Sequence, residues 1–231
     1  MKTDKHKWIF AIFFGLLLFA SVSAQSFKAK DFYQLKAGNS WNYTAPPSWK
    51  GDYVSRMEAG EALPIDGVNH PTVLHFDATN AAKILLFVKG KGIYFAGENF
   101  ADKTFVRFDA PVLWFPEKLV IGDETSVERN FTRAFADGKN ARGTFSLKQK
   151  IVAVENVKVT AGDFRKTLRI ESETFWDLGD GRKAKAQNIY HYAKGVGVVN
   201  ASARFIIINA EGKETINRLV ETDLKSYKIR Q

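Results

Sequence analysis

Three histidines follow residue 24, His70, His75 and His191, and their side chains could move a proton or hold a metal near neutral pH. A zinc centre announces itself by ligand spacing, as in HExxH or paired cysteines, because three or four donors must converge. Neither pattern occurs, and the chain has no Cys. His70 stands before Pro71, and His75 alternates with Val73 and Asp77 in "TVLHFDAT". His191, between Tyr190 and Tyr192, reads as a strand residue at a rim rather than a general base. No serine sits in a GxSxG elbow. Gly90-Lys91-Gly92 and Gly195-Val196-Gly197 lack the further glycine and helix of a phosphate cradle. Glu171 with Glu173, or Asp177 with Asp180, could be drawn as the two acids of a glycosidase, but carboxylates on the polar face of a strand are ordinarily just solvated. The expectation is no catalytic role, no metal and no cofactor.

Binding is the better-supported class. "AKILLFVKG", "APVLWFPEKLV" and "RFIIINA" carry more large apolar side chains than simple alternation needs. One reading makes them the inside of a curved sheet that holds an acyl chain or a hydrophobic peptide, with Trp114, Phe115 and Leu119 at its mouth and Trp41 as a further contact. The other makes them core strands, which a many-stranded fold requires. Trp41 and Tyr43 divide the same way. After Gly38-Asn39-Ser40 turns the chain into its first strand, the two rings share one face and serve as a core plug or a ligand platform.

The elements that position these residues are strands. In "RKTLRIESETFWDL", Leu168, Ile170, Ser172, Thr174 and Trp176 fall on one face and Thr167, Arg169, Glu171, Glu173 and Phe175 on the other. Gly179-Asp180-Gly181-Arg182 then signals a turn, "KAKAQNIYHYA" returns, "VVNASARFIIINA" follows, and Glu211-Gly212-Lys213 turns into "ETINRLVETDLKSYKI". Another hairpin is expected about residues 136–140, and shorter strands at "DYVSRMEAG", "PTVLHFDAT", "AKILLFVKG" and "GIYFAGENF". No segment after residue 24 holds a helical period over three turns. The predicted fold is all-β: one domain, a curved antiparallel sheet of about 10 to 12 strands closing as a barrel or half-barrel.

The N-terminus orders basic Lys2, Lys5 and Lys7, an apolar run from Trp8 to Ala20, and small residues Val22-Ser23-Ala24. That order predicts a secretory signal over 1–24 and a single β domain over 25–231. The run is too short to span a bilayer, so no transmembrane span is expected in the mature chain. Export without cysteine suits a bacterial periplasm or exterior. The net charge of +9 is spread among acidic residues, as in "SVERNFTRAFADGKNARGTFSLKQK", which reads as a solvated face. Nucleic acid is not an expected partner, since no recognition pattern accompanies the charge.

The phrases "YQLKAGNSWNY", "LVIGDE", "VKVTAGDFRKTLRI" and "YHYAKGVGVVN" resemble exported bacterial β-proteins of unknown function, the TapB-like conserved exported proteins. Members often carry Cys after the "GDF" phrase; here Lys166-Thr167-Leu168 follows, so no thiol chemistry is implied. The resemblance implies export and a β fold, with a looser analogy to half-barrels that carry lipid in the envelope. The expected function is non-enzymatic binding of a lipid-like ligand or envelope polymer. The alternative is an assembly protein that engages a protein partner through an exposed strand edge.

Overall fold

A computed structural model of the chain describes residues 25–44, 53–76 and 82–230. The expected export signal and Pro46-Pro47 lie outside the described residues. The described chain opens with β1 (Ser26–Lys28) and a single helical turn, α1 (Ala29–Phe32). Shorter strands follow: β2 (Ser40–Tyr43), β3 (Tyr53–Ala59), a small hairpin of β4 (Leu63–Ile65) and β5 (Val68–His70), β6 (Thr72–Phe76), β7 (Ala82–Lys89), β8 (Gly92–Phe100) and β9 (Phe105–Phe115). After β10 (Lys118–Val120) come the long ones: β11 (Glu124–Ala134), β12 (Asn140–Val159), β13 (Gly162–Asp177), β14 (Lys183–Ala193), β15 (Gly197–Ile208) and β16 (Glu214–Lys228). Twelve of these close an antiparallel barrel in the order β11-β12-β13-β14-β15-β16-β2-β3-β6-β7-β8-β9. Closure decides between the barrel and half-barrel alternatives, and the strand count matches the alternation.

Two walls of unequal reach make the barrel. Strands β11 to β16 pair along nearly their whole lengths. The other six meet this wall through short seams only: Phe105–Phe108 against Phe131–Ala134, and Leu224–Lys228 against Ser40–Tyr43. Inward registers run Phe145, Trp176, Ala184, Ile207, Ile216 across the long wall, while the outward row is Lys148, Glu173, Gln187, Arg204, Leu219. Charged and amide side chains outside, aromatics inside, is the pattern of a wall that faces water. A membrane barrel needs the reverse, an apolar outer band.

Aromatic rings fill the middle. Phe145 lies 4.4 Å from Trp176, 5.3 Å from Phe108 and 6.1 Å from Phe95 between ring centroids, and Phe131 and Trp114 complete the layer. Such tilted and edge-on contacts add to the area that large rings bury. Room for Phe131 comes from the inward glycine opposite it, Gly143, where an added Cβ would stand 2.1 Å from the Asp177 carbonyl oxygen and 2.4 Å from the Phe131 ring. Gly143→Ala is therefore expected to destabilise by about 1–3 kcal/mol through overpacking. Urea unfolding measures this, and a loss below about 0.5 kcal/mol contradicts the packing described.

The N-terminal segment closes one end. Ala29 N–H donates to Glu117 O (3.0 Å), and Gly195 N–H donates to Asp31 O (2.6 Å). Gly38, at φ 91°, makes the turn that delivers buried Asn39, whose Oδ1 accepts from the Arg230 N–H (2.8 Å). This region thus ties the start of the domain to its last residues.

Candidate functional site

The expected ligand contacts are packed into this interior. Trp41, Phe115 and Leu119 are buried in the core, and Trp114 is half-buried. Trp41 donates its indole N–H to the Val196 carbonyl at 2.7 Å, and Tyr43 its hydroxyl to Val198 at 3.0 Å. Leu119 pairs with Phe27 of β1. Trp114 and Phe115 touch edge-on at 6.3 Å. The four positions are brought into one core, Trp41 beside the N-terminal plug and the others on β9 and β10.

Within the same core is a constellation that sequence reading did not assemble. His75 Nδ1 lies 2.9 Å from Tyr33 Oη and Nε2 lies 2.7 Å from Ser55 Oγ. Neutral imidazole fits this setting, since one ring nitrogen donates while the other accepts from a hydroxyl. Burial pushes the His75 pKa down to about 4 and raises the Tyr33 and Tyr43 phenols above their ordinary range. A serine beside a histidine suggests a nucleophile and base. Here the gap bounded by Tyr33, Trp41, Tyr43, Ser55 and His75 measures about 20 Å³, room for one water and no substrate. The triad is a satisfied core network.

His191 has a different setting, on the outer face of the long wall. Its Nε2 is 3.0 Å from Glu155 Oε2 and its Nδ1 2.9 Å from Asn200 Oδ1, while Asn200 Nδ2 donates to Asp223 Oδ1 (2.8 Å). Arg169 joins Glu155 to Glu171. The His191 hydrogen bond leads the effects that hold the Glu155 carboxyl below its ordinary range. This polar ladder crosses β12 to β16. It ends where Asp223 and Thr44 bond across the seam. Beside it a trough of about 480 Å³ runs over the outer face, lined by Lys148, Lys150, Glu171, Glu173, Gln187 and Arg204 and ending at Leu219.

The trough ends at an edge. Strand β16 pairs with β15 along Asn200–Ile208, but its pairing with β2 begins only at Leu224. Thr44 N–H still donates to Asp223 O, and Asp223 N–H donates to Thr44 Oγ1, so both backbone groups of Asp223 face β2. Among the described residues, Glu214–Thr222 therefore has one paired side only. Large apolar side chains stand in the open on both faces there: Phe205 (38% exposed) and Ile216 (41%) in inward registers, and Leu219 (59%) on the outer face. Ile206, Ile207 and Ile208 lie half-buried beside them.

Searches with family models and among curated proteins find no match. Two solved structures are similar in outline. One is described as a "putative lipoprotein" from Parabacteroides distasonis, 11% identical, covering 86% of this chain and 99% of that one, with a TM-score of 0.45. The other is described as a "putative exported protein with YmcC-like fold" from Bacteroides fragilis, 14% identical, covering 85% and 98%, with a TM-score of 0.48. Neither description carries the TapB-like name.

Proposed function

We propose that this is an exported, non-enzymatic β-barrel protein that assembles with a protein partner by strand addition to the free edge of β16. The observation that carries the reading is the stretch Glu214–Thr222, paired on one side only among the described residues, with Ile216 and Leu219 exposed on it. Unpaired edges with apolar side chains are templates for another strand, and natural barrels close to remove them. Export is supported by the basic, apolar and small-residue order of residues 1–24. A lipid-chain ligand at the expected contact Trp41 has less support, because pockets for such ligands measure about 300–1,000 Å³ and the gap beside Trp41 is about 20 Å³.

A photo-crosslinking residue at Leu219, in cells that express the whole chain, tests the reading. A defined protein adduct is expected, and Asn217→Pro should reduce it about ten-fold by removing an outward N–H and its strand geometry. Loss of all protein adducts overturns it, and a reproducible lipid adduct in native mass spectra of the purified protein then favours a hydrophobic ligand.

A further inference from the structure

We infer that the partner at this edge is a second copy of the chain, paired β16 to β16 about a two-fold axis centred on Leu219. The inference rests on the edge reading above and names its occupant.

Which backbone groups face outward is fixed at Asp223, whose N–H and C=O both point toward β2. The β15–β16 register is regular from Asp223 back to Ile216, so alternation aims the N–H and C=O of Glu221, Leu219 and Asn217 at the free side. Beyond Ile216 a bulge at the Ile207/Ile208 step breaks the alternation. The usable edge is thus Ile216–Thr222, short of Asp223, which Thr44 already occupies.

A strand that pairs with its own copy about an axis perpendicular to the sheet must be centred on a residue, because opposed side chains share a face. Centring on Arg218 puts two guanidinium groups face to face, and centring on Glu221 does the same with two carboxylates; like charges directly opposed are destabilising. Centring on Val220 sends Asn217 against Asp223, whose backbone is engaged with Thr44. Centring on Asn217 sends Leu219 against the bulged Thr215. Centring on Leu219 pairs the three outward residues Asn217, Leu219 and Glu221 with one another inside Ile216–Thr222 and opposes no like charges. It sets Leu219 against Leu219 of the second copy, the most exposed large apolar side chain of the described residues. Asn217 then opposes Glu221, an amide against a carboxylate, and Arg218 opposes Val220. The free backbone groups of Asn217, Leu219 and Glu221 are all satisfied, and the outer trough continues from one copy into the next.

The absence of cysteine makes the register directly readable. Leu219→Cys places two thiols on a hydrogen-bonded antiparallel pair, with Cα atoms about 5.5 Å apart, inside the range a disulfide spans. Asn217→Cys, on the same face, places them four residues out of step, about 13 Å apart. Under mild oxidation the purified mature protein is expected to give a disulfide dimer at least about ten-fold faster with Leu219→Cys than with Asn217→Cys. Sedimentation of the unsubstituted protein should show a monomer–dimer equilibrium that Leu219→Arg shifts to monomer. Equal rates for the two cysteines, or a monomer at every concentration, overturns the inference. If the chain is monomeric while Leu219 crosslinks to a different protein in cells, the second-copy inference falls and the edge reading stands. If Leu219 gives no protein adduct, both fall.

Discussion

Phe145→Ala is expected to destabilise the barrel by about 3–5 kcal/mol, the range for removing a buried phenylalanine and leaving a cavity. Phe145 is fully buried and makes ring contacts with Phe95, Phe108 and Trp176, which belong to β8, β9 and β13. The substitution thus removes the ring on which both walls converge. It does so near the seam where β9 and β11 pair only over Phe105–Phe108 and Phe131–Ala134, so few neighbouring backbone pairs hold the walls in register. Relaxation that refills the cavity would require those rings to shift together. Phe205→Ala, in an inward register of the same wall but 38% exposed, is the control and should change stability by about 0.5 kcal/mol or less. Denaturant unfolding of the two variants decides the matter. A Phe145→Ala loss near that of Phe205→Ala would mean that the aromatic layer does not join the walls.

The fold was legible where alternation was long. The period-two pattern from Arg165 to Leu178 became β13, its turn followed at Gly179, and the hairpin into "KAKAQNIYHYA" formed in the expected place. Gly38-Asn39-Ser40 likewise marked a turn into β2, with Trp41 and Tyr43 facing the core. Such signals are local, so they survive in a single sequence. Closure was not local. Whether twelve strands shut or stay open depends on the Leu224–Lys228 pairing with Ser40–Tyr43, elements some 180 residues apart, and no phrase in either announces the other. The same holds for Tyr33 and His75, 42 residues apart, and for His191 and Glu155, 36 apart. Alternation gives the face of each side chain but not the strand it will meet.

Acid should weaken this protein before its carboxylates titrate, because of His75. Its pKa falls from an ordinary 6.5 to about 4 on folding, through burial among Tyr33, Trp41, Tyr43, Ser55 and Met57, none of them a carboxylate. Above pH ~6.5 the imidazole is neutral in both folded and unfolded chains, and the group makes no pH-dependent difference. As pH falls through that value the unfolded chain takes up a proton that the folded chain refuses. Stability therefore drops steadily, and the drop ends near pH 4, where the folded imidazole protonates as well. Two and a half units correspond to about 3 kcal/mol lost across this window. The lowered carboxyls of Glu155, Asp102, Asp137 and Asp180 add their own loss, but below their unfolded values near 4, at the acid end of the range. His75→Phe separates the contributions. It leaves the Tyr33 and Ser55 hydroxyls without their imidazole partner and so costs stability at pH 7, yet its stability should be nearly flat from pH 6.5 to 5. Unfolding free energies measured across that interval for both proteins give the two slopes. Parallel slopes would show that His75 titrates in the folded barrel as it does in water, and that the core network of Tyr33, His75 and Ser55 is open to solvent.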